Sequence, residues 1–318
     1  MKRLGIYFIY DKDGIVDDYI PYFLKHFKPF CNELCVVVNG YLTPKSEQLL
    51  RPFCTRLIKR KNEGFDAWAY KTALDAYGRD KLLSFDEIIL TNFTLFGPFY
   101  PLDEMFNNME SSSGDLWGFF RWPNYNEQKQ ELYPHPLSSS FISYRRSVVQ
   151  SEAFKQYWEH LPPICSYKDA VFLHEQYQQR YYEERGFSTS TWIDYRSYRK
   201  FWQTHWPLFS AKTLIEKEHF PFLKRRQFFI EDGHFTWGWD NLEIVKYLKK
   251  NSLYNVFFIY QNICRTQPIN TLPVHNFNWR GFCYYFKSLF HFNPLKRLKA
   301  KRYLLTVKDF QQAFEKEQ

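Results

Sequence analysis

Runs and spacings of apolar residues alternate along residues 4–92 in a way that predicts strand, helix, strand, helix. Residues 4–10 (Leu-Gly-Ile-Tyr-Phe-Ile-Tyr) are continuously apolar, as a strand buried on both faces must be, and the polar Asp11-Lys12-Asp13-Gly14 comes next as a loop. Tyr19, Ile20, Phe23, Leu24 and Phe27 repeat at helical spacing and predict a helix over residues 17–27. A second apolar run at residues 33–38 ends in the turn pair Asn39-Gly40. Thr43-Pro44 opens a helix to Leu50, residues 56–59 form a short strand, residues 67–77 a helix, and Glu87-Ile88-Ile89-Leu90 a fourth strand. Strands separated by single helices imply a mostly parallel sheet flanked by helices, with ligand chemistry at the C-terminal strand ends. Those ends carry Asp11, Asn39, residues 60–66 and Asn92.

Beyond Pro98 the pattern changes. A short helix is expected at residues 102–109, strands at 116–120 and 140–144, and a polar, proline-bearing loop at 122–136. Helices are expected at 151–161 and 168–185, the second closed by Gly186. After Tyr195 aromatic and basic residues mix without clean periodicity, until amphipathic helices at 239–250 and 280–291. This divides the chain into an α/β domain at residues 1–235 and a basic, helical C-terminal region at 236–318.

With 45% hydrophobic and 21% aromatic residues, the 318-residue chain is globular. It has no apolar run long enough to span a bilayer, and its first residues turn charged at Asp11, too early for a secretory leader, so a cytoplasmic protein is expected. Cys31, Cys35, Cys54, Cys165, Cys264 and Cys283 have no metal-ligand spacing and read as reduced core residues. The net charge of +9 is uneven: residues 244–308 hold twelve Lys and Arg and no Asp or Glu, leaving the first 243 residues close to neutral.

The richest polar stretch is Asn62-Glu63-Gly64-Phe65-Asp66, leading into a helix that carries Lys71. Backbone donors at a helix N-terminus suit a pyrophosphate, Lys71 offers a cation, and Asp66 an acceptor for a ribose hydroxyl; helix capping alone would account for the same residues. The strand end Asn92-Phe93-Thr94 offers an amide and a hydroxyl where a hard divalent cation would want carboxylates, so no metal site is supported. Asp103 and Glu104 belong to the next helix and read as capping or solvated. Glu175, on the 168–185 helix, is a candidate general base, although a solvated helix surface would use the same residue. Asp115 is a second candidate base, and Trp117 and His135 candidate acceptor contacts. The aromatic and basic residues 277–305 suit an anionic membrane surface; packing on the main domain, or single-stranded nucleic acid, would use a similar composition, and the near-neutral remainder argues against nucleic acid.

Taken together, Arg60 to Asp66, Ala69-Tyr70-Lys71, Asp86 to Asn92 with Phe96-Gly97-Pro98, and Asp115-Leu116-Trp117-Gly118 resemble the rhamnan synthesis protein F family of bacterial polysaccharide glycosyltransferases. Tyr10 to Gly14, Ser140-Phe141, Phe154 to Trp158, Glu175 with Gly186-Phe187, and Pro221 to Arg225 fit the same pattern, over most of residues 4–260. The resemblance implies a GT-A-like, Rossmann-like domain that moves a sugar, often rhamnose, from dTDP-rhamnose or a UDP-sugar to a lipid-linked glycan of the cell wall or capsule. The enzyme would sit at the inner face of the cell membrane, with no nucleic-acid partner. Donor contacts would come from Asp11, Asn39, Arg60, Asn62, Gly64, Asp66, Lys71, Asn92 and Thr94. More distantly, residues 140–186 resemble the acceptor half of family-2 glycosyltransferases, whose acidic helix pair is matched only by Glu175 because Gln176 comes after it. The family has an acidic triplet at the fourth strand; here Phe93 takes the acidic position, so Mg or Mn is possible but unsupported, and a degenerate, non-catalytic glycan- or partner-binding domain is the alternative.

Overall fold

The computed structural model describes residues 1–121, 136–194, 211–228 and 241–267. The first half alternates as its pattern requires: β1 (Arg3–Tyr10), α1 (Tyr19–Phe27), β2 (Glu33–Asn39), α2 (Pro44–Leu50), β3 (Arg56–Arg60), α3 (Phe65–Tyr77) and β4 (Glu87–Asn92). β1 is buried except at its last residue, and its two faces feed two different cores. Tyr7 and Ile9 pack with α1 through Tyr19, Phe23 and Phe27, while Leu4, Ile6 and Phe8 pack with α3 through Ala67, Tyr70 and Leu74. The period-two alternation of a strand thus distributes one continuous apolar run between two helical layers.

The later elements are β5 (Leu95–Phe96), α4 (Asp103–Glu110), β6 (Leu116–Gly118), β7 (Phe141–Arg145), α5 (Glu152–Glu159), α6, β8 (Thr189–Thr191), α7 (Ala211–Lys217), β9 (Leu223–Lys224), α8 (Asn241–Asn251) and α9 (Phe257–Thr266). Helix α6 starts at Tyr167–Asp169, passes through a π-helical segment, Ala170–Glu175, and continues as Gln176–Glu183. The seven-stranded sheet has the order β3-β2-β1-β4-β7-β6-β8, with β7 antiparallel to both neighbours and the other pairings parallel. Register places Tyr10 beside Asn39, Asn39 beside Arg60, and Phe8 beside Asn92, so the C-terminal ends of β1 to β4 share one edge.

Three expectations change. Residues 116–120 do not form one strand: β6 stops at Gly118, where a Cβ would lie 3.0 Å from the Phe141 carbonyl oxygen, and Phe119 instead stacks on Phe141 and Phe222. The boundary drawn at residue 235 does not divide the core, because Ile244, Leu248, Ile259 and Ile263 of α8 and α9 join the cluster that holds Tyr19 and Phe23. Cys165 is exposed rather than buried in the core; Cys31, Cys35, Cys54 and Cys264 are unpaired, and Cys283 lies outside the described residues, as do the helix expected at 280–291 and all of 277–305. No described helix is long and apolar enough to cross a membrane.

Candidate functional site

The loop from β3 to α3 is held open by its own polar residues. Arg60 donates to the Asn39 side-chain oxygen and to the Glu63 carbonyl, both at 2.7 Å, and the Asn39 amide donates to the Phe65 carbonyl at 3.2 Å. Burial lowers the Arg60 pKa from its usual value. Gly64 and Phe65 both take left-handed backbone conformations, with φ of 70° and 54°. At Gly64 a Cβ would come within 2.3 Å of the Trp68 ring, so only glycine fits. For Phe65 the same region costs about 1–3 kcal/mol, and this strain lies directly before Asp66. Asn62 is exposed beside Gly40.

Asp66 turns inward, toward the end of β4. It accepts from the Asn92 amide at 3.1 Å and from the Ala67 N–H at 3.0 Å. Asn92 in turn accepts from the Thr94 hydroxyl at 2.5 Å, and Lys224 donates to the Thr94 hydroxyl at 3.5 Å. Burial raises the Asp66 pKa, against the pull of the Asn92 hydrogen bond and of the Lys224 charge. The Tyr70 hydroxyl is raised well above its ordinary value by burial and then by the Asp66 carboxylate.

Glu175 closes the cluster from the other side of the sheet edge, where α3 packs against the π segment. Its pKa is pushed up to about 7, first by burial and then by Asp66, while Lys224, a Ser139 hydrogen bond and Arg226 pull it down. A π insertion advances a helix by one residue and so re-aims the side chains after it; such insertions recur at functional sites. Next to it His174 is buried, hydrogen-bonded to the Tyr157 hydroxyl at 2.8 Å, and held neutral with its pKa lowered to about 4 by burial. A half-buried carboxyl that titrates near neutrality, facing polar strand ends, can accept a proton from a bound hydroxyl.

The remaining sequence candidates divide plainly. Asp11 is taken up by Arg265 of α9, at 2.6 Å, and by the Asp13 and Ile15 N–H groups; burial opposes its ionisation, but Arg265 holds its carboxyl below the usual range. Lys71 lies two turns into α3 and pairs with Asp75 at 3.3 Å, away from the loop it was expected to serve. Asp115 stands at the start of β6. Leu116 pairs with Tyr144, and Tyr144 with Ile88 of β4, so Asp115 is near the opposite edge of the sheet from Asn92. There it is fixed by Ser147 and Ser188; although burial works the other way, those hydrogen bonds lower its pKa, and it does not join Glu175 as a base. Trp117 is fully buried and donates to Glu87 at 2.6 Å, which makes it a core residue, not an acceptor contact. His135 lies outside the described residues.

Residues 34–284, most of the chain, match the family model of rhamnan synthesis protein F. The chain belongs to the rhamnan synthesis protein F family. The sheet order and its single reversed strand, β7, agree with the GT-A-like architecture that this family implied. A curated relative, the uncharacterised protein y4gN of Sinorhizobium fredii, is 21% identical over 188 residues, which is 59% of this chain and 48% of that protein, so the chain spans about half its length. Among solved structures, glucosyl-3-phosphoglycerate synthase of Mycobacterium tuberculosis, in complex with Mn2+, UDP and phosphoglyceric acid, aligns with 15% identity and a TM-score of 0.31. That alignment covers 46% of this chain and 56% of the synthase. The same synthase with UDP alone gives a TM-score of 0.32 at 15% identity, over 46% of this chain and 57% of the synthase.

What sequence reading missed is the segment at Leu223–Lys224 and Arg225–Phe228, which brings Lys224, Arg225 and Arg226 to the site. Pro221 to Arg225 fitted the family pattern, but a two-residue strand carries no periodicity that could have given it a role.

Proposed function

We propose that this protein is an inverting glycosyltransferase that uses a nucleotide-sugar donor, dTDP-rhamnose or a UDP-sugar, and that Glu175 is its base. The supporting observation is the meeting of Glu175, on its π segment, with the Asp66–Asn92–Thr94 chain at the C-terminal edge of the sheet. In this reading the donor occupies the crevice formed by Asn39, Arg60, Asn62, Gly64, Asp66, Asn92 and Thr94. Glu175 takes the proton from an acceptor hydroxyl, whose oxygen bonds to the anomeric carbon as the bond from that carbon to the diphosphate oxygen breaks. The nucleoside diphosphate leaves with the electron pair, and the anomeric centre inverts. The acceptor would be a lipid-linked glycan at the inner membrane face, approached by the basic, aromatic residues 277–305.

Donor turnover by the purified protein tests this. Glu175→Gln keeps the shape of the side chain and removes its basicity, so transfer should fall by roughly two to four orders of magnitude with dTDP or UDP binding retained. Near-normal turnover in that variant removes Glu175 from the mechanism. A non-catalytic, glycan-binding role is favoured by one feature, the phenyl ring at Phe93 where the family has an acid. Absence of both transfer and donor hydrolysis by the unaltered protein, in EDTA and again with Mn2+, would establish that second reading.

A further inference from the structure

The departing diphosphate needs positive charge, and the side chains at the end of β4 do not fit the divalent metal that a GT-A-like domain commonly uses. Asn92 offers an amide already bonded to Asp66 and Thr94. Phe93 packs edge-on against Phe8 at 5.7 Å and offers no ligand atom. Among the described residues no three His, Cys, Asp or Glu side chains lie together as a metal would require. A hard cation wants several anionic oxygens, and Asn92, Phe93 and Thr94 supply no carboxylate.

The same place is filled by cations from another part of the chain. β9 pairs with β5, Lys224 opposite Leu95, and the Arg225 N–H bonds to the Thr94 carbonyl at 2.9 Å, so the backbone directly after β4 carries the basic segment. The stem of Lys224 lines an apolar cavity with Leu95, Phe120, Leu214 and Phe222, while its amine reaches the Thr94 hydroxyl. The Arg225 guanidinium lies 5.2 Å from the centre of the Phe93 ring, and hydrogen bonds to Asn262 at 2.8 Å and Thr266 at 3.4 Å fix it there. Phe93 is thus the platform for a cation where a carboxylate would have been the ligand of one.

We propose that Lys224 is a catalytic residue that binds the donor diphosphate and neutralises it as it leaves, in place of a divalent metal, with Arg225 on Phe93 as its positioning neighbour. This rests on the glycosyltransferase reading above. A preorganised ammonium beside the leaving oxygens acts where charge develops, as a metal would.

Titration calorimetry with UDP and with dTDP tests the proposal. The unaltered protein should bind one of them equally well in EDTA and in Mn2+. Lys224→Met should weaken that binding at least tenfold and flatten its dependence on salt, and Lys224→Arg should restore most of it. Thermal melting separates a lost contact from a lost fold, and Lys224→Gln serves if the methionine variant melts early. Binding that disappears in EDTA, or survives intact in Lys224→Met, overturns the role of Lys224 while leaving the glycosyltransferase reading in place. If neither nucleotide binds under any of these conditions, both fall together.

Discussion

Glu175 carries the sharpest consequences at the scale of a single residue. Its carboxyl is raised to about 7 by burial and by Asp66, so the basic form grows in as pH rises through neutrality, and turnover should climb with pH to a plateau about one unit above that value. The stability effect has the opposite sign. The folded pKa lies above the ordinary 4.5, so the stabilising contribution is whole below about 4.5 and is lost as pH rises through about 7. Glu175→Gln removes that loss, and its melting temperature relative to the unaltered protein should therefore improve from about pH 5 to about pH 8. A flat difference would mean that Glu175 titrates as an ordinary surface acid. The residue type was legible in the sequence as a candidate base. Its environment was not, because Asp66 and Glu175 are far apart in the chain and meet only when α3 packs on the π segment. The same limit misplaced Asp115 and Trp117: a strand at 116–120 is expected from the sequence, but not that it starts at the opposite edge of the sheet from Asn92 and turns Trp117 into the core.

At the scale of elements, two glycines hold the loops around the candidate site, Gly64 before α3 and Gly97 after β5. Gly97 has φ of 123°, and a Cβ there would lie 2.2 Å from the Pro221 carbonyl oxygen, so the strand pairing that presents Lys224 depends on the missing side chain. Gly97→Ala should destabilise the protein by about 2 kcal/mol, and it should weaken nucleotide binding beyond what the lower stability explains. Chemical denaturation alongside calorimetry checks both parts, and a variant that melts and binds normally would mean the β5–β9 contact is not what holds Lys224. Long, periodic elements such as α1 and β2 were read correctly because each repeats its apolar spacing several times. β9 has two residues, and its place is decided by the partner strand it finds.

At the scale of the whole molecule, α9 is tied across the chain to the loop after β1. Arg265 donates to Asp11 at 2.6 Å and to both oxygens of Asp17 at 2.7 and 2.9 Å, and Asn262 adds a bond to Asp17 at 2.5 Å. Asp17 is only 4% exposed, so Arg265→Met leaves a buried carboxylate without its main partner and should cost about 3 kcal/mol by denaturant unfolding. An unchanged midpoint would mean the network is not coupled to the fold. The proposed membrane approach belongs to this scale as well. Replacing Lys296, Arg297, Lys299, Lys301 and Arg302 with glutamine should abolish co-flotation with vesicles rich in phosphatidylserine, at about 1 kcal/mol for each charge removed, with no loss on neutral vesicles. Equal flotation of both proteins would assign those cations to something other than lipid. By itself the sequence determined the alternating α/β order, the sheet edge where the loops gather, the family, and the separation of charge toward the C-terminal end, because each is written in local spacing or composition. Only the tertiary structure decided which charged groups lie together at the C-terminal edge of the sheet, which acid is raised toward neutrality, and that Lys224 rather than Lys71 meets the end of β4. Those outcomes depend on burial and on pairings between distant segments, quantities that exist only after the chain has closed on itself.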